Sequence, residues 1–248
     1  MEWSDDAIVL SLRTHGETSG ILEALTRAHG RHLGMVRGGS TSKGRAVLQP
    51  GNRITLTWRA RLPDHLGNFS VELAKSRASD FFEERASLAG LNALAAIAGA
   101  VLPEREPHEA AFEGADALLE MIAAHGFADW APLFVHWEIG LLNELGFGLD
   151  LARCAATGTP DDLIYVSPRT GRAVSRDAGA PYRGRLLSLP AFLLGRQAGE
   201  ASADDLLAGL QLTAHFLEQW VLTPHNRAIP EARIRLTDLA ARGMRESD

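Results

Sequence analysis

RHLGMVRGGSTSKGRAVLQPGNRITLTWRAR, residues 31–61, decides how the N-terminal part of the chain folds. RHLGMVRGG alternates apolar and polar residues, as a half-buried strand does, and NRITLTWRAR resumes the alternation. At period two, Ile54, Leu56 and Trp58 share one face, and Arg53, Thr55, Thr57 and Arg59 share the other. This phase places Trp58 in a core and not on a base-stacking surface. Between the strands, STSKGRAVLQPG cannot alternate and reads as a flexible basic connection. In and beside it Arg37, Lys43 and Arg45 stand among glycines and hydroxyl residues, on backbone free to approach a polyanion closely.

The same alternation extends in both directions. Five strands are expected, at Ala7–Arg13, Ile21–Arg27, His32–Val36, Arg53–Arg59 and Phe69–Lys75, with HGETSG, AHG, RGGSTSKGR and PDHLGN at the breaks. That is too little chain for a seven-stranded sandwich, and a small closed barrel of the OB-fold type is the economical solution. After Arg77 the period changes. Phe81, Phe82, Leu88, Leu91, Leu94, Ala95, Ala98 and Leu102 recur at helical spacing up to Pro103. Further helices are expected at about Ala110–His125 and Asp129–Leu145, with Asp129 as the cap of the latter and Gly146 as its stop. Residues 148–190 lose this period and are rich in Gly, Pro, Asp and Thr, with short strands expected at Leu163–Val166 and Ala173–Ser175. A structureless loop of that length is improbable, so this stretch reads as a small ordered subdomain. Helices resume at about Ala203–Leu222 and Glu231–Arg242. The division expected is a barrel over 1–78 and a helical domain over 79–248 that carries the insertion.

Charge separates the two parts. The chain of 248 residues has a net charge of -6, yet residues 1–78 hold 11 Lys/Arg against 7 Asp/Glu and the remainder 14 against 24. By electrostatics the parts cannot share the same partners. Arg13, Arg27, Arg53, Arg59 and Arg61, taken singly, read as the solvated face of a barrel. Their concentration beside the Arg37–Arg45 connection is what favours a nucleic-acid surface. The opening MEWSDDAIVLSLR has acids where a signal peptide needs positive charge, and no run approaches the length of a membrane span. With a single cysteine, Cys154, an internal disulfide is excluded and a cytoplasmic location is expected.

The chain shows no catalytic signature. It lacks a G-x-S-x-G elbow, an HExxH pair and a P-loop. Cys154 alone reads as a packing residue, His29 and His32 as turn residues that do not converge, and His136 and Glu138 as pointing to different faces. No enzyme and no cofactor is expected. The residues by themselves leave open DNA binding, RNA binding and a protein-binding scaffold with no nucleic-acid contact.

Longer matches narrow this choice. AIVLSLRTHGETSGILEALTRAHGRHLGMVRGG, GRAVLQPGN, NELGFGLDLARC, VSPRTGRAV and HFLEQWVLTPHNRAIPEAR occur in that order, and through them the chain resembles the RecO family of bacterial recombination mediators. The resemblance implies an N-terminal OB-fold, a helical C-terminal domain and a zinc-ribbon-like insertion. It also implies binding to single- and double-stranded DNA, annealing of complementary strands, and action with RecR in loading RecA onto DNA covered by single-strand-binding protein, whose acidic, hydrophobic C-terminal tail is bound by the helical domain. Nucleoid association in the cytoplasm follows from it. The DNA contacts so implied are Arg37, Lys43 and Arg45, with Arg31, Arg59 and Arg61 beside them. Arg233, Arg235 or Arg196 would supply a basic rim for the tail. Against the four-cysteine pattern of many members, the matching positions are Cys154, Thr157, Ser175 and Ala178, so no metal is expected. Tyr165, Pro168 and Tyr182 would then help to hold the insertion by packing and hydrogen bonds.

Overall fold

Alternation produces the expected sheet. Strands β1 (Glu2–His15), β2 (Ser19–Thr26), β3 (Gly30–Val36), β4 (Arg53–Arg59) and β5 (Asn68–Lys75) form a closed barrel in the order β1-β2-β3-β5-β4. This is an OB-like barrel, with β3 and β5 parallel and the other neighbours antiparallel. The computed structural model describes residues 1–81, 84–195 and 201–246. The chain separates into two compact units, Met1–Ala124 and His125–Asp248.

β1 is longer than the alternation suggests because it serves two neighbours in turn. Glu2–Ile8 pairs with β4 and Ala7–His15 with β2, with an irregularity between Val9 and Ser11. There Val9 exchanges backbone hydrogen bonds with Gly51 and Asn52. The barrel core gathers Val9, Leu22, Ile54, Leu56, Trp58 and Phe69. Burying side chains of this size stabilises a fold by about 1.5–3 kcal/mol each. Trp58 is 2% exposed and donates its indole N–H to the Leu66 carbonyl at 3.0 Å, as its phase required.

The basic connection is not a flexible loop. Ser42–Val47 forms a short helix, α1, capped by Thr41, whose hydroxyl donates to the Gly38 carbonyl at 2.6 Å and accepts from the Gly44 N–H at 3.2 Å. Tertiary contact fixes this turn. A Cβ at Gly44 would stand 2.2 Å from the Gly38 oxygen, so α1 rests on the Gly38–Gly39 backbone. Past α1, the buried Asn52 donates to the Val47 and Ala46 carbonyls at 3.0 and 3.3 Å and accepts from the N–H groups of Arg77 and Ala78 at 2.9 and 3.1 Å.

Two helices complete the first unit. A 3₁₀ turn, Ala78–Phe81, leads to α2 (Arg85–Val101), which ends before Pro103 as expected, and α3 (Glu109–Ala124) follows. Phe82, counted above toward the first helix, lies outside the described residues. Arg77, 1% exposed, reaches from the end of the barrel to α3, where it meets Asp116 at 2.7 Å and Glu120. Lys75 and Arg53 join the same carboxylates. Burial works against ionised Glu120, but hydrogen bonds from Lys75 and Arg77 outweigh it and hold the carboxyl below its ordinary value.

The second unit opens with α4 (Phe127–Glu144), capped by Gly126 and not by Asp129. The helix starts earlier than its pattern suggests, because Phe127 packs edge-on against Trp130 at 4.9 Å, and Asp129 falls in the first turn. Gly146, at φ +83°, ends it in the left-handed conformation. The insertion is ordered. Strands β6 (Leu163–Val166) and β7 (Ala173–Ser175) stand where expected, and β8 (Leu187–Ser188) completes a sheet of order β7-β6-β8, with a one-turn helix α5 (Arg176–Gly179) after β7. Helix α6 (Ala203–Phe216) begins with a Ser202–Asp205 capping box and continues as a widened π-helical turn over Leu217–Leu222. Helix α7 (Glu231–Glu246) is longer than its apolar pattern. Among the described residues no helix is long and apolar enough to cross a membrane.

Candidate nucleic-acid interface

The basic residues of the barrel fall into two groups. In the first, charge is used inside the fold. Arg31 pairs with Glu23 at 2.7 Å and donates its Nε–H to the Leu102 carbonyl at 2.8 Å, tying β3 to the end of α2. Arg27 pairs with Glu113, and Arg53 with Asp6 and Asp116, both at 2.8 Å. Arg59 meets Glu2 at 2.7 Å, but its side chain remains 64% exposed. In the second group charge is not used. The side chains of Arg13, Arg37, Lys43, Arg45 and Arg61 are exposed and have no hydrogen-bond or ion-pair partner among the described residues.

Arg37, Lys43 and Arg59 line one groove of about 610 Å³. Its origin is topological. β3 pairs with β5 only through Met35–Asn68 and Val36–Phe69, after which β5 continues along β4 while the chain turns away into α1. The space left between α1 and β5 has Val36, Val47, Leu48, Phe69 and Val71 as its apolar lining. Arg45 lines a smaller hollow beside it with Leu12, Thr14 and Pro50. Arg61 lies exposed on the β4–β5 connection, and Arg31 stands apart from the groove. Sequence reasoning missed the floor residues Val47 and Val71 and the polar Asn68 and Ser70. The period-two pattern of β5 contained Asn68, Ser70 and Val71, but neither the withdrawal of β3 nor the helix that carries Val47 showed in it.

His29 and His32 do meet, through Trp3. His29 stacks on Trp3 at 3.9 Å and bonds Asp5 at 2.9 Å, and His32 approaches the indole edge-on at 5.2 Å. Burial pushes His32 below its ordinary value, against the hydrogen bond to the Leu33 carbonyl. These rings cap the barrel. No group of metal-binding side chains occurs among the described residues.

In the insertion, Cys154 is buried, and its sulfur lies 3.3 Å from both the Ser175 hydroxyl and the Ser175 N–H. Burial raises the thiol, but hydrogen bonds from Ser175 and Thr157 outweigh it and lower it to about 6. Three of the four positions matched to the family's cysteines therefore converge. One thiol and two hydroxyls do not fit a tetrahedral thiolate zinc site, and hydrogen bonds occupy the place instead. Tyr165 packs over Gly179 as expected, whereas Tyr182 is 59% exposed and takes no part in the core. Because the folded value lies below the unfolded 9.0, the thiolate's stabilisation is complete above pH 9 and is lost as pH falls to about 6. Cys154→Ser does not titrate there. Its deficit in Tm against the unsubstituted protein is expected to shrink from pH 9 to pH 6, and a constant deficit in melts across that range would exclude the thiolate.

Of the residues expected at a tail-binding rim, Arg196 lies outside the described residues and Arg235 is exposed, 3.7 Å from Glu231. Arg233 is fully buried, which excludes it from a solvent-facing rim. It forms a two-point pair with Glu138 at 2.6 and 2.8 Å and donates to the Leu210 carbonyl and the Thr237 hydroxyl. The groove between α6 and α7 is lined by Glu218 and Asp238 together with His215 and Arg233, and because Arg233 is already paired with Glu138 this lining does not suit an acidic peptide.

Fold and site together define an OB-barrel protein with a basic groove and a helical continuation. The family models described as Recombination protein O N terminal and Recombination protein O C terminal match residues 1–77 and 83–228. The chain belongs to the RecO family of DNA repair proteins. It is 51% identical to the DNA repair protein RecO of Rhodospirillum centenum over 240 residues, covering 96% of this chain and 94% of that one. It is 51% identical to that of Phenylobacterium zucineum over 238 residues, covering 96% and 97%, and 50% identical to that of Caulobacter vibrioides over 241 residues, covering 97% and 98%.

Proposed function

We infer that the chain is a non-catalytic recombination mediator that holds DNA on the barrel through Arg37, Lys43, Arg45 and Arg61, with Arg59 alongside. The observation that carries this reading is the division of charge: Arg27, Arg31 and Arg53 are neutralised by carboxylates, whereas Arg37, Lys43, Arg45 and Arg61 are left to solvent. Contacts to phosphate are largely independent of sequence, which suits a protein that must act wherever a strand is broken. Membership of the family supports single- and double-strand binding, annealing, and work with RecR and RecA on DNA coated by single-strand-binding protein, at the nucleoid. The tail of that protein remains a proposed partner of the helical unit. The acidic α6–α7 groove is not proposed as its site.

Binding to labelled oligo-dT across a salt series tests the reading. Log K should fall linearly with log salt, with a slope of about -0.7 per neutralised phosphate, and Arg37→Ala/Lys43→Ala/Arg45→Ala should lose about 2 units of that slope. An unchanged slope would place the DNA elsewhere. Equal affinity for a matched RNA strand would extend the reading to both nucleic acids, and no binding at low salt would leave protein recruitment as the activity.

A further inference from the structure

The geometry points to the α1–β5 groove as a subsite for one unpaired nucleotide, its phosphate held at the rim and its base laid on the apolar floor. This rests on the DNA-binding reading above and goes beyond it, because it distinguishes single strands from duplex at a named place.

Three features argue for that occupant. The unpaired cations Arg37 and Lys43 stand on the α1 side, Arg59 stands on the β4 side with Glu2 bonded to it from outside the lining, and none of the described lining residues carries a carboxylate. In a chain of net charge -6 this selects an anion. Phosphate alone would need no apolar floor, yet the partly buried Val47 and Val71 line the groove together with the buried Phe69. A nucleobase has two apolar faces and a polar edge, and Asn68 and Ser70, both exposed, stand where that edge would lie. A B-form duplex offers the rim its phosphates but keeps its bases stacked, so it can use the cations and not the floor. An acidic peptide with apolar side chains could match the same rim. The mixed floor with its amide and hydroxyl favours a base.

The experiment compares a labelled oligo-dT strand with a duplex of the same length, by anisotropy at one salt concentration, using the full chain. Val71→Gln should weaken strand binding about tenfold and leave duplex binding within about twofold. Ser70→Trp, which adds a stacking face at the exposed edge of the groove, should tighten strand binding about tenfold and leave the duplex unchanged. Arg37→Ala/Lys43→Ala should weaken both ligands together. Far-UV circular dichroism confirms that each variant is folded, and the gain expected of Ser70→Trp cannot arise from misfolding. If Val71→Gln and Ser70→Trp shift both ligands alike, or neither, the groove is not a base subsite even though the DNA-binding reading stands. If the unsubstituted protein binds neither ligand, the underlying reading falls as well. A labelled peptide of alternating Asp and Leu that binds, is lost with Val71→Gln, and leaves strand binding untouched by that substitution would assign the groove to protein and overturn the proposal.

Discussion

Glu138→Gln is expected to lower the unfolding free energy of the C-terminal unit by about 3–5 kcal/mol, because it leaves a buried guanidinium without its counter-charge. Glu138 and Arg233 are each 0% exposed, and Arg233 lies over the Phe134 ring at 5.5 Å, so solvent cannot replace the lost partner. Arg233→Met should cost a similar amount, since it strands the carboxylate. The double change Glu138→Leu/Arg233→Met removes both charges and should recover most of the loss, within about 1–2 kcal/mol of the unsubstituted protein. Urea unfolding followed by helical circular dichroism measures all four proteins. A loss under about 1 kcal/mol for Glu138→Gln would mean that water reaches the pair.

Asn52→Ala should have the second largest effect, about 3 kcal/mol or more, since one carboxamide serves four buried or partly buried backbone groups and each group left unpaired costs about 1–3 kcal/mol. The side chain is 0% exposed and joins the last carbonyls of α1 to the N–H groups of Arg77 and Ala78. Asn52→Asp separates the two functions. It keeps the acceptor toward Arg77 and Ala78 and loses the donor toward α1. Hydrogen exchange should then accelerate at the amides of Arg45–Leu48 but not at Ala78, and oligo-dT affinity should fall with the loosening of the helix that carries Lys43. Uniform exchange across both regions would show that Asn52 acts on the fold as a whole.

What could be read from the residues follows from the range of the forces involved. Strand alternation is local, so the barrel, the inward Trp58 and the five-strand count were legible. Helix α1 was not, because six residues hold a helix here only by resting on Gly38 and Gly39 and bonding to Asn52. The basic residues of the barrel were legible as a set, but not their division. Arg53 meets Asp116 and Arg31 meets the Leu102 carbonyl, partners distant in sequence that only the folded chain brings near. Arg233 did carry a signal. It shares a helical face with Leu236 and Ala240, which are buried, and that phase points it inward. The convergence of Cys154, Thr157 and Ser175 was visible only by matching them to a pattern of cysteines.

Arg77 bears on how such proteins can be recombined in evolution. The family models part at residues 77 and 83, where a genetic exchange between relatives would join one barrel to another's helices. Arg77 belongs to the barrel side of that joint, yet its counter-ions Asp116 and Glu120 lie on α3. A hybrid that takes this barrel needs carboxylates at those two positions from the parent that supplies the helices, because otherwise it inherits a buried cation with no anion. The unit that holds together as one piece therefore runs on to Ala124, beyond the barrel.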